Sequence, residues 1–527
     1  MVNYSYYVIC CCYSRCKYYY VAGTVPLAHN LSKLLNYSRL RTYVSLSMLI
    51  IKFEDVLSKF LSFFTYVGTV TIYSIQFSIR SNSLTDTKDF LTFWPKNLQP
   101  KIIIRMLLRL NLLQLFFWWI LSSIANSMSV FVRYEPPNWA KQVFTNLPKY
   151  GRVQLGNFPT PLQRIQHSES SNKNRENKNI LLNKLKELNV TLLIKREDMS
   201  GGLELGGNKV RKLEFLLADA IGNDYTDVVT IGGEQSNHAR ATAAACRQYG
   251  LQPHLILRTQ KRKNLTSMYT GNLLLDRMLG SNLYTCTPGE YGRFGSQQLV
   301  QRLCQQIEAS NENKKVYGIP VGGSNGLGSW GYIRAIEEFK QQLSSSNTAI
   351  DHVVVATGSG GTVAGMTLGM SLAFDKDCPE IHAVGVCDNP DYFYKTMTSI
   401  AQEMGFSKTS EIEDYIKQYV TVYNGKGMGY AKSTDEELEF ISTLAQETGI
   451  VLDPVYTGKA LYHFATQVLD ESFANTNIVF WHTGGTLGLY DKGDRFSFQQ
   501  ISPVRTLNLY STQKANQNHG DPELFSI

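Results

Sequence analysis

Three times the chain runs from a short β-branched stretch into a glycine turn, and twice a helix-patterned segment follows directly. TDVVTIGG precedes EQSNHARATAAACRQYG, DHVVVATGSGG precedes TVAGMTLGMSLAF, and NIVFWHTGG closes on Gly484 and Gly485. Apolar runs without polar alternation are strands covered on both faces, and their alternation with helices is the pattern of parallel sheets. The expected fold class is therefore α/β, with mostly parallel sheets. Ligands of such sheets gather past the carboxyl ends of the strands, where these turns fall, so the turns are expected to share one crevice.

A fourth glycine turn carries unusual charge. In LGGNKVRKLEF, residues 205–215, two lysines and an arginine stand within four positions. Leu213, Leu216, Leu217, Ala220 and Ile221 recur at the spacing of a core-facing helical stripe, which places Asn208 at the N-cap. The helical wheel sets Lys209 inside that stripe, Lys212 on its edge and Arg211 on the opposite face, so only Lys209 is expected to point inward. A first-turn lysine of this kind either snorkels back to water or is desolvated beside other cations, where a lowered pKa makes it a Schiff-base nucleophile.

The turn formed by Thr357, Gly358, Ser359, Gly360, Gly361 and Thr362 is the best phosphate candidate. Consecutive small residues expose backbone N–H groups at the positive end of the following helix. No GxxxxGK[ST] is present and this turn does not match GxGxxG, which disfavours a nucleoside triphosphate and leaves a monophosphate held by amides and hydroxyls. A glycine turn used only for close packing is the plainer alternative. A phosphate cradle after one strand and an inward lysine on another helix together point to pyridoxal phosphate, which needs an anchor at each end.

From about residue 158 to residue 491 the chain resembles the D-cysteine desulfhydrase and 1-aminocyclopropane-1-carboxylate (ACC) deaminase group of fold-type-II pyridoxal-phosphate enzymes. The resemblance rests on KREDMSGGLELGGNKVRKLEF, IGGEQSNHARATAAA, PVGGSNGLGSWGYI, ATGSGGTVAG, LDPVYTGKALY and HTGGTLGLYD, in that order. It implies two αβα domains with the cofactor in the crevice between them. The boundaries it implies are a catalytic region at 128–510, with a large domain at about 150–212 plus 331–510, a small domain at about 213–330, and a tail at 511–527. It further implies that Lys209 bonds the cofactor's aldehyde carbon, that Asn237 hydrogen-bonds its phenolic oxygen, and that residues 357–362 hold its phosphate. Ser236 would lie near the substrate's carboxylate and reacting carbon, Tyr456 would donate or accept a proton, and Thr457 would meet the pyridine nitrogen. A small amino-acid substrate and a homodimer are expected on the same ground.

Deaminase members of the group carry an acid after that tyrosine, whereas this chain has Thr457. A carboxylate there keeps the ring nitrogen protonated and deepens the electron sink that opening a cyclopropane requires. A hydroxyl suffices for β-elimination of a good leaving group, so the expected reaction is that of a D-cysteine desulfhydrase, a carbon–sulfur lyase yielding pyruvate, ammonia and hydrogen sulfide. ACC deamination to α-ketobutyrate and elimination from other D-amino acids are the neighbouring alternatives. Two departures stand out: Glu234, where the family more often has an apolar residue, and a polar insert around 168–180.

Composition bounds the remaining classes. Residues 1–127 hold 13 Lys+Arg against 4 Asp+Glu, leaving 39 against 40 for residues 128–527, so the body has no electrostatic footprint for nucleic acid. The front end is Tyr- and Cys-rich, and LNLLQLFFWWILSSI at 110–124 follows Arg105 and Arg109. That run reads as a signal anchor, the h-region of a signal sequence or part of an organelle-targeting leader, and an internal start near Met128 would leave it out. The expected compartment is cytoplasmic or mitochondrial, with membrane contact only through the 106–125 segment. Cys10, Cys11, Cys12 and Cys16 cluster, while Cys246, Cys286, Cys304, Cys378 and Cys387 are scattered, which gives neither metal-ligand spacing nor a disulfide framework. No metal is expected.

A hydrolase is a rival, because GGSNG at 322–326 fits GxSxG, and Asp453 and His482 follow in order. Its elbow demands a helix directly after the serine, where Gly326 and Gly328 intervene. A pyridoxal-phosphate binder without turnover is the other rival, and Ser236 and Tyr456 argue against it.

Overall fold

The computed structural model describes residues 130–165, 179–260 and 269–497. The front end with its apolar run, most of the polar insert and the tail lie outside the described residues. Among the described residues no helix is long and apolar enough to cross a membrane.

Among the described residues ten strands form two sheets. β1 (Leu162–Arg164), β2 (Thr191–Arg196), β7 (His352–Thr357), β8 (Glu380–Gly385), β9 (Val420–Asn424) and β10 (Asn477–His482) build the larger, in the order β1-β2-β10-β7-β8-β9. Only β1 is antiparallel to its neighbour. Between β2 and β7 the chain builds a second, wholly parallel sheet from β3 (Asp227–Gly233), β4 (Gln252–Arg258), β5 (Asn282–Cys286) and β6 (Val316–Gly318), ordered β5-β4-β3-β6.

The apolar runs are continuous because each strand feeds two cores. Val353, Val355, Val479 and Trp481 point to one face of the larger sheet, and Val354, Ile478 and Phe480 to the other. Each side chain buried this way is worth about 1.5–3 kcal/mol relative to exposure, which holds helices against both faces. On the first face lie α7 (Gly326–Ser346), α8 (Gly361–Ala373) and α9 (Pro390–Glu403); on the second lie α2 (Ile180–Glu187), α11 (Asp435–Thr448) and α12 (Thr457–His463). The smaller sheet is covered likewise by α3 (Lys209–Gly222) and α4 (Asn237–Gln248) on one side and α6 (Pro288–Ser310) on the other. α1 (Asn138–Lys141), α5 (Gly271–Met278) and α10 (Ile412–Lys417) complete the layers.

Helix α3 departs from the expected wheel. Arg211, assigned to the outer face, is 1% exposed, and Lys212 is buried beside it. Packed against α4, α7 and the surrounding loops, residues 210–218 of α3 are buried on every face, and the charges are answered internally. Arg211 donates to both oxygens of Glu197, at 2.6 and 2.8 Å, and to Glu338, while Lys195 reaches Glu338 at 2.6 Å. The guanidinium also stacks 4.0 Å from the centre of the Phe158 ring. Removing one partner of a buried ion pair strands the other, at a cost of about 3–5 kcal/mol. Glu197→Gln is therefore expected to lower unfolding free energy by about 3 kcal/mol in urea titration; an unchanged midpoint would show that this cluster adds nothing to stability.

Candidate active site

The glycine turns meet at the carboxyl ends of both sheets around a cavity of about 300 Å³. Lys209, Ser236, Asn237, Thr357, Gly358, Ser359, Gly360, Thr362 and Tyr456 all line it. Gly361 and Thr457 do not.

Lys209 opens helix α3, and its placement depends on two glycines. Asn208 N donates to Thr483 O at 3.1 Å, and a Cβ on Gly484 would lie 2.7 Å from Gly207 Cα, so these turns touch backbone to backbone. Asn208 occupies the N-cap as expected, but its side chain makes no cap and donates instead to Thr362 Oγ1 at 3.0 Å. That bond ties the lysine helix to the start of α8. Surrounded by protein and facing only the cavity, the Lys209 ammonium is pushed down by desolvation to about 8.

The turn before α8 is built to receive an anion. Among the described residues, the N–H groups of Gly358, Ser359 and Gly360 have no protein acceptor, and Thr357 Oγ1 is buried without a partner. Gly358 is required for contact, since a Cβ there would lie 2.8 Å from the Tyr456 ring. Gly361 supports from behind: its N–H donates to Ser324 Oγ, which in turn donates to Ser359 Oγ at 2.8 Å. Lys212 Nζ joins this group, donating to Gly322 O and Ser324 Oγ at 3.1 and 3.2 Å. Burial, and then the charge of Lys209, hold it well below the usual lysine range.

Helix α4 supplies the opposite wall. Ser236 caps it, accepting from Ala239 N, and keeps its hydroxyl proton for the cavity. Asn237 Oδ1 accepts from Asn272 Nδ2 at 3.0 Å, which leaves the Asn237 amide as a donor. His238 hydrogen-bonds Thr230 through Nε2, and desolvation followed by the two lysines drives its pKa far down, so it is a neutral wall rather than a cation. Tyr456 shares a 2.8 Å hydrogen bond with Tyr430, and burial raises its phenol well above the ordinary value.

Thr457 stands just behind. Its hydroxyl donates to Asp453 Oδ1 at 2.6 Å and accepts from Asp453 N at 2.9 Å. The Asp453 carboxylate also accepts the N–H groups of Val455, Tyr456 and Thr457, so its lone pairs are fully engaged. Glu234 is half-buried and outside the cavity lining.

The hydrolase constellation is not assembled. A helix does begin at Gly326, against expectation, because Asn325 caps it by accepting from Gly328 N. Ser324, however, faces Lys212 and Ser359, Asp453 serves as a cap, and His482 is engaged by Val451 O and Gly484 N. Two residues were not anticipated as part of the site. Lys212 is adjacent to the expected lysine but was set on the edge of the stripe, and Tyr430 sits in the aperiodic loop GKGMGYA, where no spacing marks it.

An inward, easily deprotonated lysine that shares one cavity with an anion-binding turn defines a pyridoxal-phosphate enzyme built on two mostly parallel sheets. The phosphate fits the unpartnered amides and Thr357, and the aldehyde fits Lys209. Residues 153–484 match the family described as "Pyridoxal-phosphate dependent enzyme". The chain is 42% identical over 369 residues to "Bifunctional D-cysteine desulfhydrase/1-aminocyclopropane-1-carboxylate deaminase, mitochondrial" of Arabidopsis thaliana, covering 69% of this chain and 85% of that one. It is 36% identical over 350 residues to "Putative 1-aminocyclopropane-1-carboxylate deaminase" of Thermotoga maritima, covering 65% and 99%. A crystal structure of an ACC deaminase homologue superposes with a TM-score of 0.54 at 30% identity, over 66% of this chain and 95% of the other. The chain belongs to the D-cysteine desulfhydrase/ACC deaminase family of pyridoxal-phosphate enzymes.

A free amine reacts with an aldehyde, so cofactor uptake by the apoprotein should accelerate with rising pH through about 8, well short of the ordinary lysine value. Stopped-flow absorbance checks this, and borohydride reduction followed by peptide mapping should find the pyridoxyl group on Lys209. Label elsewhere, or a midpoint above pH 10, would exclude this assignment.

Proposed function

We propose that this chain eliminates sulfide from D-cysteine, forming pyruvate, ammonia and hydrogen sulfide. The carrying observation is the pair Tyr456–Thr457. The position after the tyrosine brings no charge: Thr457 lies behind the cavity lining and gives its hydroxyl proton to Asp453, whose carboxylate is consumed by that O–H and three N–H groups. No carboxylate is therefore offered there to keep a pyridine nitrogen protonated, which favours loss of a good leaving group over opening of an unactivated ring.

When bound, pyridoxal phosphate supplies an electron sink conjugated to the substrate's Cα. Lys209 Nζ, with its lowered pKa, takes the Cα proton. Ser236 and the Asn237 amide, at the start of α4, bind and orient the substrate's carboxylate end and the ring's phenolic oxygen. Tyr456, held as a protonated phenol, gives its proton to the departing sulfur as the C–S bond breaks, and Tyr430 holds that phenol in place. Tyr430, Tyr456 and His238 give that part of the cavity an uncharged wall. A positioned proton donor is worth roughly 10²- to 10⁴-fold in rate.

The purified, cofactor-loaded enzyme should release sulfide from D-cysteine and form little α-ketobutyrate from ACC; the reverse preference would overturn the argument from Thr457. Tyr456→Phe is expected to lower kcat for D-cysteine by roughly 100-fold with KM little changed, as read by pyruvate formation. Full activity in that variant would move the proton donor to Ser236.

A further inference from the structure

The opposite, amino-terminal edge of the larger sheet carries a second cluster of functional groups. His352 opens β7, and Glu380 and His382 lie on β8, with His352 paired to Glu380 in register, so all three share one sheet face. They sit at the far end of the strand from the active site: β7 runs from His352 to Thr357, and five steps at about 3.3 Å separate the two by about 16 Å.

We propose that His352, Glu380 and His382 bind a divalent transition cation of the Zn²⁺ class. His352 Nδ1 and His382 Nε2 are 3.2 Å apart, and Glu380 Oε2 lies 3.5 Å from the first and 3.8 Å from the second. Two ligands each about 2.0–2.1 Å from a tetrahedral ion are about 3.3–3.4 Å apart, so a metal fits the triangle with sub-ångström adjustment. Two imidazoles and one carboxylate are the donor set such ions prefer over Mg²⁺ or Ca²⁺.

The surroundings fit as well. His382 Nδ1 lies 3.0 Å from the Tyr423 oxygen, so with Nε2 on the metal the Nδ1 proton has an acceptor, the outer-shell bond that fixes a ligating ring. Phe473 packs against both rings, its centroid 4.6 and 5.3 Å away, and limits their rotation. The charged groups acting on His352 are Glu380 and Asp351, both acidic. The Glu380 side chain is 75% exposed, which leaves an approach from solvent and room for water as the fourth ligand.

Calorimetric titration of the chelator-treated, desalted, cofactor-loaded full chain with Zn²⁺ tests this. One equivalent should bind, and His352→Gln should abolish that event. Tyr423→Phe should weaken it roughly 10- to 100-fold. Glu380→Gln, at an exposed position compatible with folding, should weaken it at least about tenfold, with retained cofactor absorbance reporting an intact fold. Absence of Zn²⁺ binding, or binding with the same stoichiometry and affinity in His352→Gln and Glu380→Gln, overturns the proposal.

Discussion

The first turn of α3 drives three cationic side chains into the interior, and much of the molecule follows from how each is answered. Arg211 is met by two carboxylates from distant segments, Glu197 and Glu338, which pin α3 between the start of the larger sheet and α7. Lys212 is met by neutral oxygens only, and it braces the turn that faces the phosphate. Lys209 is met by open space, and that is its use: a charged amine with nothing to pair with gives up its proton near neutrality and becomes reactive. One helical turn thus distributes structural, supporting and chemical duties by the partners each residue is given.

Around that amine the wall is rich in hydroxyls and poor in charge. Ser236, Thr357, Ser359, Thr362, Tyr430 and Tyr456 line the cavity, while Asp453 is turned away as a helix cap. Amides and hydroxyls of the 357–362 turn are free to bind an anion, and high-pKa phenols remain proton carriers across the physiological range. Such a site leaves the electronics to the coenzyme and reserves the protein for orientation.

Much of this was legible from local pattern. Strand, glycine turn and helix follow one another in TDVVTIGG and DHVVVATGSGG because those residues admit little else, and the inward aim of Lys209 follows from α3 periodicity. The wheel failed at Arg211 because it assumes that one side of a helix meets water, whereas α3 is enclosed and its outward face is paid for by Glu197 and Glu338, 14 residues before and 127 after it. Gly326 was read as an interruption because glycine disfavours helices; the cap from Asn325 outweighs that. Tyr430 escaped notice because its value lies in a contact with Tyr456 across 26 positions, and a loop has no period to announce it. Local rules find elements, and long-range partners decide which residues become chemistry.

The smaller sheet is an excursion between β2 and β7, so the amine stands at its entry while the phosphate turn follows β7 of the larger sheet. A coenzyme gripping both acts as a thermodynamic rivet: bound at a hundredfold excess over its Kd, it adds about 2.7 kcal/mol to the folded state. Vitamin supply would therefore govern not only how fast such a catalyst works but how much of it survives proteolysis.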